Sequence, residues 1–157
     1  MERDPDAIPV VYLDTSVYGR PFDDPAVGSN RREIRAVQTL LDAIQEGDAQ
    51  LVSSFVVQDE CARATPDVQA LEQALRELAQ AVVPATPEVE ALAARLTAEA
   101  GLKPGDSRHV ACAVLAGASD FLSCTPRRIS KQAAVEAVLG HAFPMRTPSD
   151  FVREVLV

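Results

Sequence analysis

The run IPVVYL, residues 8–13, constrains the fold of this chain most strongly. Its β-branched and aromatic side chains show no alternation with polar residues, which is typical of a strand buried on both faces. Such strands lie in parallel sheets that are covered by helices on both sides. The run ends abruptly at Asp14, followed by the hydroxyl side chains of Thr15 and Ser16. The sequence therefore predicts an α/β protein with a carboxylate at the end of its first strand.

The rest of the chain alternates between helical and extended patterns. Helices are predicted over residues 34–44, 54–63, 66–78, 89–96, 104–117, 127–139 and 148–155, and further strands over 50–53, 81–83, 120–124 and 142–146. Residues 19–28 contain two prolines and two aspartates and are predicted to be a loop. This order predicts one domain over residues 1–157, a three-layer α/β/α sandwich with a central, mainly parallel sheet. In such folds ligands bind beyond the carboxyl ends of the strands, where Asp14 is placed.

Composition limits the classes of function. The formal net charge of −8 argues against strong non-specific binding to nucleic acid or to an anionic membrane, since both require clustered positive charge. The longest apolar stretch, residues 110–118, is too short to span a bilayer. Three cysteines without CxxC spacing indicate neither a disulfide framework nor a zinc site. A soluble, cytoplasmic protein without a membrane partner is expected.

Two further acids fall on helix faces that are otherwise apolar. Glu60 shares a stripe with Val57 and Cys61, whereas its neighbour Asp59 points elsewhere and is expected to be solvated. Asp106 lies in the first turn of the helix at 104–117, on the stripe predicted to face the sheet. Buried carboxylates lose hydration and need compensation. Because a hard divalent cation, Mg²⁺ or Mn²⁺, prefers oxygen ligands, it is the shared compensator that we expect.

Each acid also has a purely structural explanation at this stage. Asp14 could cap the turn that follows its strand, and Asp106 could be an ordinary acid at a helix N-terminus. Glu60 could form a buried salt bridge to an arginine. His109, one turn after Asp106, is expected to be a packing or hydrogen-bonding residue more often than a base.

Four stretches resemble the PIN domain family (PilT N-terminus-like), small metal-dependent ribonucleases that include the toxins of VapBC-type toxin–antitoxin pairs. They are YLDTSVYGRPFDD (12–24), SSFVVQDECAR (53–63), KPGDSRHVACAVLAGASDFLSC (103–124) and RTPSDFVREV (146–155). The resemblance covers nearly the whole chain in order and spacing. It implies that Asp14, Glu60 and Asp106 hold Mg²⁺ or Mn²⁺ and cut RNA, and that an antitoxin protein blocks this acidic site.

The resemblance departs from the family at one position. Many members place another aspartate just after the strand in the 120s, and the matching residue here is Thr125. Thr125 contributes no charge, so a second metal ion would be weakly held, and either activity is reduced or it proceeds with one metal ion. Asp120 precedes the strand and is expected at the opposite edge of the sheet.

Several polar residues are expected to support such a site. Thr15 and Ser16 are placed to hydrogen-bond a ligand carboxylate or the scissile phosphate. The RNA backbone is expected to contact basic residues in segments that leave the same edge, namely Arg20, Arg127, Arg128 and Lys131. The stripes at 68–78 and 89–96 are compatible with a homodimer surface or with core packing.

Two other functions fit parts of the pattern. The missing fourth acid is compatible with a catalytically weakened PIN-like module that binds RNA or protein without cutting. A phosphatase of the haloacid dehalogenase type also begins from an aspartate at a strand end. That chemistry requires a second acid two residues later, where this chain has Ser16, so this alternative is set aside.

Overall fold

A five-stranded parallel sheet forms the centre of the computed structural model, which describes residues 6–156. The strands are β1 (Val10–Leu13), β2 (Gln50–Ser54), β3 (Ala81–Val83), β4 (Asp120–Leu122) and β5 (Met145–Arg146). Their order across the sheet is β3-β2-β1-β4-β5, and every neighbouring pair is parallel. The predicted strand β1 therefore lies at the centre, between β2 and β4.

Helices connect the strands and cover the sheet. They are α1 (Thr15–Gly19), α2 (Asn30–Glu46), α3 (Phe55–Cys61), α4 (Pro66–Leu78), α5 (Pro87–Ala100), α6 (Pro104–Leu115), α7 (Pro126–Ile129), α8 (Gln132–Leu139) and α9 (Pro148–Phe151). Helix α5 packs against α6 and α8, and α2 packs against α9, which a π-helical turn at Val152–Leu156 extends. The arrangement confirms the predicted α/β/α sandwich.

The central strand is buried as its composition predicts. Val11, Tyr12 and Leu13 are all 0% exposed, so both faces of β1 are covered. The burial of successive residues is what distinguishes a central parallel strand from an edge strand with one wet face. Burial of β1 on both faces fixes the position of its last residue, and therefore the position of Asp14, which follows it.

The two apolar stripes with alternative explanations belong mainly to the core. Val68 and Leu75 of α4 are buried within the chain itself, as are Val89 and Leu96 of α5. Leu78, at the end of α4, is the exposed member. Core packing therefore accounts for most of both stripes.

The prediction of one helix over residues 127–139 was wrong, because the structure has two helices there. It is broken into α7 and α8 at Ser130 and Lys131, where the Ser130 hydroxyl donates to the carbonyl of Arg127 at 2.7 Å. Serine side chains compete in this way with the helical hydrogen bonds of the backbone. The break leaves α7 as a short separate helix at the sheet edge, and it carries Arg128.

Two other boundaries differ from the prediction. The strand expected over 142–146 is restricted to β5, because Glu136 of α8 accepts the backbone N–H of Phe143 at 2.6 Å in place of a neighbouring strand. The region 19–28, predicted to be a loop, begins with a 3₁₀ turn at residues 20–22, and α1 precedes it. Within residues 6–156 no helix combines the length and the apolarity needed to cross a bilayer.

Candidate active site

Asp14 lies at the carboxyl end of β1 and begins helix α1. Its backbone N–H donates to the carbonyl of Leu122 at 3.0 Å, which ties the end of β1 to the end of β4. Its Oδ1 accepts the N–H of Ser16 at 3.0 Å and also the Ser16 hydroxyl, so the side chain is the N-cap of α1. Asp14 does cap the following turn, as the structural explanation predicted. The same carboxylate is 0% exposed and has a second oxygen directed elsewhere.

The segment that follows β4 lies beside Asp14. The backbone N–H of Cys124 donates to Ser16 Oγ at 2.9 Å, and the N–H of Thr125 donates to Ser123 Oγ at 3.1 Å. Thr125 is therefore on the same sheet edge as Asp14 and brings no charge to it. Asp120 begins β4 and lies at the opposite end of that strand.

Asp106 is brought to this edge by helix α6. Pro104 starts the helix, and Asp106 lies in its first turn, on the same face as buried Val110 and Ala113. The side chain of Asp106 is 12% exposed. The stripe prediction for this residue agrees with its burial.

Arg128 links the two buried aspartates. Its Nη1 contacts Asp14 Oδ2, and its Nη2 lies 2.8 Å from Asp106 Oδ1. Burial lowers the pKa of Arg128, but the charges of Asp14 and Asp106 outweigh burial, and the net shift is upward. The two carboxylates thus converge on one cationic group that the chain itself supplies.

Glu60 is held by a separate hydrogen-bond network. Its Oε1 accepts the Thr15 hydroxyl at 2.5 Å and lies 2.7 Å from His109 Nε2. The other ring nitrogen of His109, Nδ1, lies 2.8 Å from the Tyr12 hydroxyl, which in turn lies 2.7 Å from Ser54 Oγ. His109 is 2% exposed, so this chain of contacts runs from the core to the edge of the site.

The network lowers the pKa of Glu60 to about 2. The hydrogen bond from His109 is the largest cause, the Thr15 hydroxyl adds to it, and partial burial opposes both. The charge of Arg128 also lowers this pKa, which means that Glu60 and the Asp14–Arg128–Asp106 group share one electrostatic environment.

Replacing Glu60 with Gln is expected to remove part of the pH dependence of folding. The folded pKa of Glu60 lies below its usual 4.5, so its stabilising effect is fully present above pH 4.5 and is lost as the pH falls towards 2. The difference in free energy of unfolding between wild type and Glu60→Gln should therefore be constant above pH 4.5 and shrink below it. Urea titrations across that range measure it, with exposed Glu88→Gln as the control. A difference that stays constant to pH 2 would contradict the prediction.

The prediction that Glu60 lies on a packed face was only partly right. Its side chain is 41% exposed, whereas Asp59 is exposed as predicted. The helix is predicted over residues 54–63, but α3 is only seven residues long and ends at Cys61. Glu60 therefore lies at the margin of the buried face, in the last turn of the helix.

The other predicted basic contacts surround the site without joining the acids. Arg20 contacts Asn30 and lies 3.4 Å from Asp23. Arg127 is exposed on α7, and Lys131 is half-buried after it. Among residues 6–156, the ion pairs of Asp14 and Asp106 are those to Arg128.

Asp14 and Asp106 fit a hard divalent cation. Both offer carboxylate oxygens, both are largely buried, and both are already directed at one positive charge. Magnesium is commonly held by one or two carboxylates together with water and substrate phosphates. In the part of the chain that the structure describes, no three His, Cys, Asp or Glu residues form a metal-ligating group, and Oε1 of Glu60 contacts Thr15 and His109.

Sequence reasoning missed the role of Arg128 and the contacts of Tyr12, Ser54 and Ser123. Arg128 was expected to bind the RNA backbone, yet it is 114 residues from Asp14 in sequence and contacts it in space. No local periodicity signals such a pair. The spacing of His109 from Asp106 was the one available clue to the hydrogen-bond network.

The chain was also compared with known proteins. No protein-family model matches it, and no curated protein matches it either.

Proposed function

We propose that the protein is a metal-dependent endoribonuclease of the PIN-domain type. The observation that supports this most is the convergence of Asp14 and Asp106, two buried carboxylates from distant parts of the chain, on one cationic position at the carboxyl edge of a parallel sheet. Such an edge is where ligands bind in α/β folds. Two carboxylates directed at one point are a favourable arrangement for Mg²⁺ or Mn²⁺.

Each side chain has a role in this proposal. Asp14 and Asp106 would hold a divalent cation, which would supply an activated water and neutralise charge on the phosphate. Glu60 adds a third negative charge at the margin, and His109 and Thr15 hold its carboxylate in place through Oε1. Ser16 orients Asp14 through its hydroxyl and backbone N–H.

RNA is the proposed substrate, and its backbone would be bound by the basic residues that surround the edge. Arg20, Arg127 and Lys131 lie in segments that follow β1 and β4 and so leave the carboxyl ends of these strands. Phosphate contacts of this kind position a nucleic acid without selecting its sequence. As a toxin of a toxin–antitoxin pair, the protein would act in the cytoplasm and be blocked by an antitoxin arginine that pairs with the carboxylates.

A second candidate function has its own supporting observation. Arg128 already forms ion pairs with Asp14 and Asp106, and Thr125 is found where many members of the family that the sequence resembles have a fourth acid. Both features favour a PIN-like module that binds RNA or a protein without cutting it. Such a module would keep its ligand when the acids are replaced.

Replacing Asp106 with Ala separates the two functions. A nuclease should lose Mn²⁺ binding and RNA cleavage together, since one of two metal ligands is removed. A binding module should retain RNA binding after the same change. Calorimetry with Mn²⁺ and cleavage of a labelled single-stranded RNA measure both, and exposed Asp67→Ala, at a similar position in the first turn of α4, is the control. Intact RNA with wild-type protein in excess Mn²⁺ would contradict the nuclease.

A further inference from the structure

Arg128 occupies the position between Asp14 and Asp106 where the proposed function places a divalent cation. Both carboxylates direct an oxygen at the same guanidinium, one at Nη1 and the other at Nη2. A forked guanidinium matches two carboxylates in this way better than any other side chain does. The guanidinium lies between these two oxygens, so a cation that bridges them has to displace it from that position.

We propose that Arg128 is an internal competitor for the metal: its guanidinium closes the site in the free protein and must leave Asp14 and Asp106 before a divalent cation binds. This inference rests on the proposed function, since it concerns the same site. It adds a regulatory contact that the chain makes with itself.

The partial exposure of Arg128 and its position on a short helix allow its side chain to leave the two aspartates. Its side chain is 18% exposed, and it belongs to α7, a helix of four residues that ends at the break before α8. The Nε of Arg128 is buried and donates no hydrogen bond among the described residues. An unsatisfied buried donor destabilises the closed arrangement. Closing and opening are therefore balanced more evenly than two ion pairs alone would suggest.

Charge favours replacement of Arg128 by a cation. One guanidinium carries a single positive charge against two carboxylates, and Glu60 adds a third negative charge nearby. A divalent cation neutralises the two aspartates completely and has stronger Coulomb interactions with both. The released guanidinium would then lie at the edge where RNA phosphates are expected.

The competition lowers the apparent affinity for metal by the fraction of molecules in which the site is open. If Arg128 is bound to the acids in nine of ten molecules, its removal strengthens metal binding about tenfold. Arg128→Gln removes the charge and keeps a polar side chain that is too short to reach both carboxylates as the guanidinium does. Arg108→Gln is the matched control, because Arg108 lies on the same helix as Asp106, is exposed, and pairs with Glu90 rather than with the site.

The experiment is calorimetric titration of wild type, Arg128→Gln and Arg108→Gln with Mn²⁺ alone, in the absence of RNA. Arg128→Gln is expected to bind Mn²⁺ about tenfold or more tightly than wild type, with Arg108→Gln close to wild type. Arg128→Lys is expected to be intermediate, since an ammonium cannot bridge two carboxylates as a fork does. Arg128→Lys keeps a positive charge between the aspartates, so it is expected to fold and to test the proposal even if Arg128→Gln does not fold.

The outcomes distinguish this inference from the function on which it rests. Arg128→Gln with an unchanged or weaker affinity would overturn the competition and leave the metal site standing. An equal gain in Arg128→Gln and Arg108→Gln would also overturn it, because net charge alone would then explain the effect. Failure of every variant to bind Mn²⁺, wild type included, would contradict the metal site and the proposed nuclease together.

Discussion

Asp14→Asn is expected to reduce Mn²⁺-dependent cleavage of RNA by about 100-fold or more. The substitution removes one of the two charges proposed to hold the cation, and polarisation by a metal ion supplies several kcal/mol of stabilisation to the transition state. A loss of about 100-fold corresponds to roughly 3 kcal/mol. Single-turnover cleavage of a labelled RNA in excess Mn²⁺ measures the change.

Asparagine is the informative replacement because it preserves the N-cap of α1 and removes only the charge that faces Arg128 and the proposed cation. Its side-chain oxygen can still accept the N–H and hydroxyl of Ser16, and Asn is as good an N-cap as Asp. A large loss of activity with little change in the melting temperature would therefore separate metal binding from capping. Asp59→Asn removes the same charge from an exposed position next to Glu60 and is expected to cleave at the wild-type rate. Equal cleavage by Asp14→Asn and wild type would contradict the proposed role of Asp14.

The position of Asp14 could be predicted because the responsible signal is local. A run of apolar residues without alternation identifies a buried parallel strand, and the residue after such a strand must lie at the carboxyl edge of the sheet. The position of Asp106 could be predicted equally well, since the stripe of apolar residues along a helix indicates which side of the helix is buried. Both inferences depend on the period of regular elements, which the sequence carries directly.

Arg128 and Glu60 show where that kind of inference fails. The pairing of Arg128 with Asp14 joins residues 114 apart and depends on how α7 and β1 are brought together, which no periodic pattern records. Glu60 was predicted to lie on a packed helix face. Because α3 ends at Cys61, Glu60 lies in the last turn of the helix, and its side chain is more exposed than predicted. Side-chain partners and helix ends depend on tertiary contacts, and they decide here whether the acids face a metal ion or an arginine.

A second buried ion pair, between Asp120 and Arg146, stabilises the opposite end of the sheet. Asp120 is 0% exposed, and its Oδ1 contacts Arg146 Nη1 while its Oδ2 accepts the Ser119 hydroxyl at 2.9 Å. Arg146 also lies 3.0 Å from Glu154, beyond α9. The arginine therefore connects the start of β4 to the chain that follows β5.

Arg146→Ala is expected to lower the free energy of unfolding by about 3 kcal/mol, since it removes the ion pair that Arg146 makes with the buried carboxylate of Asp120. The lower end of the range for broken buried pairs applies because Arg146 is itself 26% exposed. Urea titration at neutral pH measures the loss. Arg153→Ala is the control, because Arg153 is 68% exposed and its ion pairs are superficial, and it should cost less than about 1 kcal/mol.

The double variant Asp120→Asn/Arg146→Ala tests whether the buried charge is the cause. Removing the carboxylate charge should recover at least about 1 kcal/mol relative to Arg146→Ala, because the double variant no longer buries the charge that was paired with Arg146. If the double variant is instead less stable than Arg146→Ala by the full cost of Asp120→Asn alone, the two residues do not interact. Arg146 would then stabilise the sheet end through the packing of its aliphatic stem and not through its charge.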